Sequence, residues 1–142
     1  MTIAAVLGTK GGEVATIDAD ATLCEAAAEL ARRRIGALLV TEGGRIAGII
    51  SERDLTGCMA EHQSELLERR VAEAMTVDLI TVEPDTPVLA ALALMTNRRV
   101  RHLPVTEGGA LVGIVSIGDL VKYRMERIEA EAEAMRAYIQ SA

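Results

Sequence analysis

Two short stretches of this sequence end an apolar run with a hydroxyl and, three residues later, a carboxylate. They are Gly48-Ile49-Ile50-Ser51-Glu52-Arg53-Asp54 and Gly113-Ile114-Val115-Ser116-Ile117-Gly118-Asp119. A strand that runs into a helix start presents unpaired backbone amides beside such side chains. There an aspartate can accept both hydroxyls of a ribose, a serine can bond the sugar, and flanking Ile and Val can hold a flat base. The same spacing also describes a capping box, in which the serine accepts a first-turn amide and the acid reaches back to the cap. The motif alone leaves both readings open.

The elements that must position these residues occur twice. One offset of 65 residues relates the two stretches and holds without a gap from Val14/Leu79 to Leu55/Leu120, which is an internal repeat. In the first copy residues 14–17 read as a strand, and 23–34 as a helix with Asp18, Asp20 and Thr22 as capping candidates. Residues 37–41 and 46–50 read as strands around the Glu42-Gly43-Gly44-Arg45 turn, and 52–62 as a second helix. Residues 63–71 are a connector. The second copy opens with Ala72 to Thr76 and repeats the order: strand 79–82, helix 88–98 behind Pro84 and Pro87, then strands 103–106 and 111–115 around Gly108-Gly109. Residues 1–12, apolar and then broken by Gly8, Gly11 and Gly12, read as a loop.

The fold class expected is α/β (α+β), with two β-α-β-β-α repeats over residues 1–71 and 72–142. A unit of ~65 residues buries too little surface to be stable alone, so the repeats are expected to pack as a pseudo-twofold pair. The last helix, 118–139, overruns its counterpart. Its Val121, Met125, Ile128, Ala132, Met135 and Ile139 keep heptad spacing, which suits packing back on the protein's own body or, the reading favoured for a segment that projects beyond the repeat, a homodimer contact that assists an interface built elsewhere.

Bulk properties exclude several classes. The net charge of −6 and the excess of acidic over basic residues argue against nucleic acid, so Arg32-Arg33-Arg34, Arg69-Arg70 and Arg98-Arg99 are read as helix ends or solvated faces. No apolar run approaches a membrane span, and no secretory leader opens the chain; a cytoplasmic protein is expected. Cys24 and Cys58 are read as reduced packing residues. His62 and His102 lie at no ligand spacing from a cysteine, and neither HExxH, GxGxxG nor a phosphate loop occurs. Neither an enzyme nor a metal site is expected.

The doubled Gly-x-x-Ser-x-x-Asp motif, each copy preceded by strand, Gly-Gly turn and strand, resembles a tandem pair of CBS (cystathionine β-synthase) domains, a Bateman module, from about Lys10 to Val121. The resemblance implies a regulatory sensor, in signal transduction, that binds AMP, ADP, ATP or NAD, with S-adenosylmethionine behind them, in clefts between the copies. It implies that Asp54 and Asp119 hold ribose hydroxyls, that Ser51 and Ser116 assist, and that Thr16 and Thr81 lie against the base. In Val100-Arg101-His102-Leu103-Pro104 of the second copy, Arg101 and His102 would meet a phosphate. The first copy has Ile35-Gly36-Ala37 there, but carries Arg53, and Lys10 in the preceding glycine loop, as phosphate candidates. It also has Lys10-Gly11 where the second has Met75-Thr76, so its occupancy is the less secure. The alternative is a ligand-independent dimerisation or interaction module; in either case an effector protein would listen.

Overall fold

A computed structural model of the protein describes residues 1–61, 65 and 68–141. The apolar runs around each Gly-Gly pair fold as hairpins. Strand β2 (Ala37–Glu42) pairs antiparallel with β3 (Arg45–Ser51), and β4 (His102–Glu107) with β5 (Ala110–Ser116). Gly43, Gly44, Gly108 and Gly109 all carry positive φ, the conformation a two-residue hairpin turn needs.

The chain separates into two compact units. One is Val14–Leu79. In it β1 (Thr16–Asp18) runs parallel to β2, so the sheet order is β1-β2-β3. Helix α2 (Leu23–Arg33) starts at a reciprocal cap: the Thr22 hydroxyl accepts from the Glu25 amide, and the Glu25 carboxylate from the Thr22 amide. With α3 (Glu52–Glu61) it buries Leu23, Ala26, Leu30, Leu55 and Cys58 against Leu38, Val40 and Ile50. A short α4 (Val71–Ala74) adds Val71 to that core. The expected end of α3 at His62, and part of the connector, fall outside the described residues.

The other unit is Met1–Glu13 with Ile80–Ala142. The lead residues of the chain thus belong to the body of the second repeat, whereas the sequence repeat suggested a boundary after residue 71. Here the loop expected over residues 1–12 is corrected: Ile3–Lys10 form a helix, α1. Its Ile3 and Val6 are buried and Leu7 packs beside them, an apolar face at helical spacing that Gly8 obscured. The main chain ties this segment down, with Ile3 and Ala4 donating to the carbonyls of Thr86 and Pro84.

A second correction concerns residues 79–82, expected as a strand. Only Val82 forms a bridge, parallel to Val105. The repeat explains why. In the first copy the Leu39 amide donates to the Ala15 carbonyl; the residue equivalent to Leu39 is Pro104, which has no amide to give. The second repeat therefore keeps a two-stranded sheet. Helix α5 (Val88–Arg98) covers it with Val88, Ala91 and Met95, and Leu120 of α6 (Ile117–Ser141) completes the core.

Candidate functional site

Both Ser-x-x-Asp stretches sit where a hairpin's returning strand becomes a helix. Ser51 ends β3 and Asp54 lies in the first turn of α3; Ser116 ends β5 and Asp119 lies in the first turn of α6. The Asp54 carboxylate accepts from the Ser51 amide at 2.8 Å and the Ser51 hydroxyl at 2.9 Å, both through Oδ2. Asp119 Oδ2 accepts from the Ser116 amide at 2.8 Å. In return each serine hydroxyl accepts from the aspartate amide, at 3.4 Å and 3.1 Å. The capping geometry is present in both copies, and it holds each carboxylate at the strand end.

What else reaches the two carboxylates differs. Thr76 donates its hydroxyl to Asp54 Oδ1 at 3.3 Å, so both oxygens of Asp54 are engaged. Thr76 is held there by a pair of backbone bonds with Ile49, 3.0 and 2.9 Å long. Asp119 instead meets an ammonium: Lys10 Nζ donates to Oδ2 at 2.6 Å and to the Ile114 carbonyl at 2.7 Å. Burial disfavours the charged form of Asp119, but the Lys10 ammonium and the Ser116 amide and hydroxyl outweigh it, and its carboxyl lies below the ordinary value of 3.8. Asp119 Oδ1 accepts no hydrogen bond from a described residue.

The partner of Lys10 is thus the carboxylate of the second copy. Lys10 was expected to serve the first copy, but α1 carries it to the carboxylate of the second. Two other candidates neighbour this strand end along the backbone. His102 opens β4 directly across from Ser116, and the Arg101 carbonyl accepts from the Ile117 amide at 2.8 Å. Arg101 is exposed and His102 half-buried. Pro104 is buried opposite Ile114, and Val100 packs partly buried against the core. In the first repeat Ser51 faces Ala37, Thr16 lies two strands from Ile49 through Leu39, and Arg53 is exposed on the first turn of α3. Thr81 is exposed beside the Val82 bridge.

Sequence reasoning missed Thr76 as a partner of Asp54 and missed why each stretch begins with glycine. A Cβ on Gly48 would stand 2.6 Å from the Thr76 carbonyl oxygen, and one on Gly113 would stand 2.8 Å from Leu7 Cδ2. The glycines let the lead segments lie against the sheet. The repetition of glycine at the 65-residue offset was the available signal.

The CBS domain family model matches residues 9–61 and 71–126. The chain belongs to the CBS domain family and carries a CBS domain pair, a regulatory kind of module. It is similar to the mitochondrial CBS domain-containing protein CBSX3 of Arabidopsis thaliana, with 36% identity over 148 residues that cover 98% of this chain and 72% of the relative. The crystal structure of the CBS-domain containing protein ATU1752 from Agrobacterium tumefaciens matches with a TM-score of 0.85 and 38% identity, over 87% of this chain and 99% of that one. The CBS domain pair of protein MJ0100, solved in complex with 5′-methylthioadenosine and S-adenosyl-L-methionine, matches with a TM-score of 0.78 over 89% of this chain and 98% of that one. Its identity is 23%, so that likeness concerns the fold.

Proposed function

We propose that the protein is an adenosine-ligand sensor whose principal site is built on Ser116 and Asp119, and that occupancy is passed to an effector protein. The observation that carries this reading is the state of Asp119: a charged carboxylate, held at a strand end, with one oxygen bonded and the other left for a ribose hydroxyl. Lys10 and Arg101 would supply positive charge, and His102 a ring nitrogen, suited to a phosphate. AMP, ADP, ATP and NAD carry both groups. The ligands named for MJ0100 share the adenosine and lack the phosphate.

The first repeat offers a poorer site in this reading. Both Asp54 oxygens already accept a hydrogen bond, and Arg53 stands next to Glu52, so no net positive charge gathers there. An adenosine compound held by Thr16, Ser51 and Asp54 would share Asp54 Oδ1 with the Thr76 hydroxyl.

Thermal unfolding with AMP, ATP, NAD and 5′-methylthioadenosine tests the proposal. A ligand at a hundred times its Kd stabilises the native state by about 2.7 kcal/mol, several degrees in Tm. Asp119→Ala should abolish that gain. A second reading, a ligand-free interaction module, is favoured by the reciprocal caps at both serines. It requires that Asp119→Ala cost about 1 kcal/mol and that no adenosine ligand at millimolar concentration shift the wild-type Tm.

A further inference from the structure

Helix α6 presents an exposed apolar seam. Val121, Met125, Ile128, Met135 and Ile139 are between 44% and 67% exposed, although they occupy the inward positions of a heptad pattern. We infer that this seam is covered by α6 of a second copy of the chain, and that the two helices run parallel.

The charges beside the seam select both the partner and its direction. With Met125, Ala132 and Ile139 at the a positions and Val121, Ile128 and Met135 at d, the charged g positions are Arg124 and Glu131, Tyr138 being the third g residue, and the e positions are Lys122, Glu129 and Arg136. In a parallel pair each g residue meets the e residue five positions on in the partner helix. Arg124 then faces Glu129 and Glu131 faces Arg136, each twice by symmetry, so all four contacts are attractive.

The antiparallel pair that overlaps the whole seam fails on the same residues. There g meets g and e meets e: Glu131 opposes its own copy, Glu129 opposes its own copy, and Lys122 opposes Arg136. Every contact there between two charged residues joins like charges, and Arg124 meets the neutral Tyr138.

Within one chain the same side chains make replaceable contacts. Glu131 lies 4.0 Å from Arg127, and Arg136 lies 3.5 Å from Glu133, all of them largely exposed. Pairs of this kind contribute little, so exchanging them for contacts across the seam costs little.

Sedimentation equilibrium of the full chain tests the inference, with three variants chosen on the exposed face. The wild type should be a dimer. Arg124→Glu with Glu131→Arg reverses the g charges, and Glu129→Arg with Arg136→Glu reverses the e charges. Each double variant alone should weaken the dimer about tenfold or more, and an equimolar mixture of the two should restore it. Direction is read from Ile139→Cys in a Cys24→Ser background. A parallel pair brings the two thiols together and forms a disulfide under mild oxidation, whereas an antiparallel pair sets residue 139 opposite residue 121, about 27 Å along the helix. A monomeric wild type, a dimer indifferent to both charge reversals, or a dimer without the disulfide would overturn the proposal.

Discussion

Lys10 Nζ lies 2.6 Å from Asp119 Oδ2, across 109 positions of sequence. The equivalent of Lys10 in the repeat is Met75, and the first-repeat carboxylate, Asp54, is met by the neutral Thr76 hydroxyl instead. Duplication made the two halves alike in backbone, and this one pair makes their carboxylates electrically unlike.

If a phosphate is the group Lys10 serves, replacing it with its repeat equivalent should change selectivity more than affinity for adenosine. Lys10→Met is expected to weaken AMP binding about tenfold or more while leaving adenosine within about threefold, since a charge-assisted bond is worth roughly 1.5–3 kcal/mol. Calorimetric titration of both ligands reads the difference. Equal losses for AMP and adenosine would remove the phosphate role.

The same pair sets a pH dependence. The folded-state pKa of Asp119 is lowered, so its contribution is complete above the ordinary aspartate value and is lost as pH falls through the lowered one. Lys10→Met should be less stable than wild type by up to about 1 kcal/mol at neutral pH, a partly exposed pair being worth no more. That gap should close as pH falls from the ordinary aspartate range through the lowered value. Denaturant melts at a series of pH values provide the check; a gap constant with pH would mean that Lys10 acts through packing.

Gly48 and Gly113 occupy equivalent positions but should not tolerate alanine equally. The Cβ at 48 meets a backbone oxygen, and the one at 113 meets the end of a leucine side chain that can rotate. Gly48→Ala is expected to cost about 1–3 kcal/mol by forcing the Thr76 segment away, and Gly113→Ala less. Equal unfolding midpoints for the two variants would contradict the geometry.

Arg34 ends α2 in the left-handed conformation, with φ 54°. A side chain there costs about 1 kcal/mol. Arg34→Gly should raise stability by about 0.5–1 kcal/mol, the gain tempered by glycine's greater freedom in the unfolded chain. Chemical denaturation would show it, and a destabilised variant would mean that the Arg34 side chain contributes more than its strained backbone costs.

The hairpins, the helices α2 and α5 and the Ser-x-x-Asp stretches were legible because local chemistry specifies them. Gly-Gly pairs take positive φ, apolar residues alternate or recur at helical spacing, and hydroxyl-to-acid spacing caps a helix. Reading one copy against the other strengthened each inference. Two expectations failed for opposite reasons. Helix α1 was hidden by Gly8 because its stability comes from burying Ile3 and Val6 in a core supplied by residues 80 onward. The missing strand at 79–82 depended on an amide that Pro104, more than twenty residues later, does not have.

The amino-acid order by itself determined the duplicated architecture, the family, and which side chains stand at each strand end, because those follow from contacts within a few residues or from the repeat itself. Only the tertiary structure decided that Lys10 belongs with Asp119, that Thr76 belongs with Asp54, and that the apolar seam of α6 is exposed. Each of these joins residues far apart in sequence, and such pairings are settled by the burial and close packing of whole elements, which no local spacing encodes.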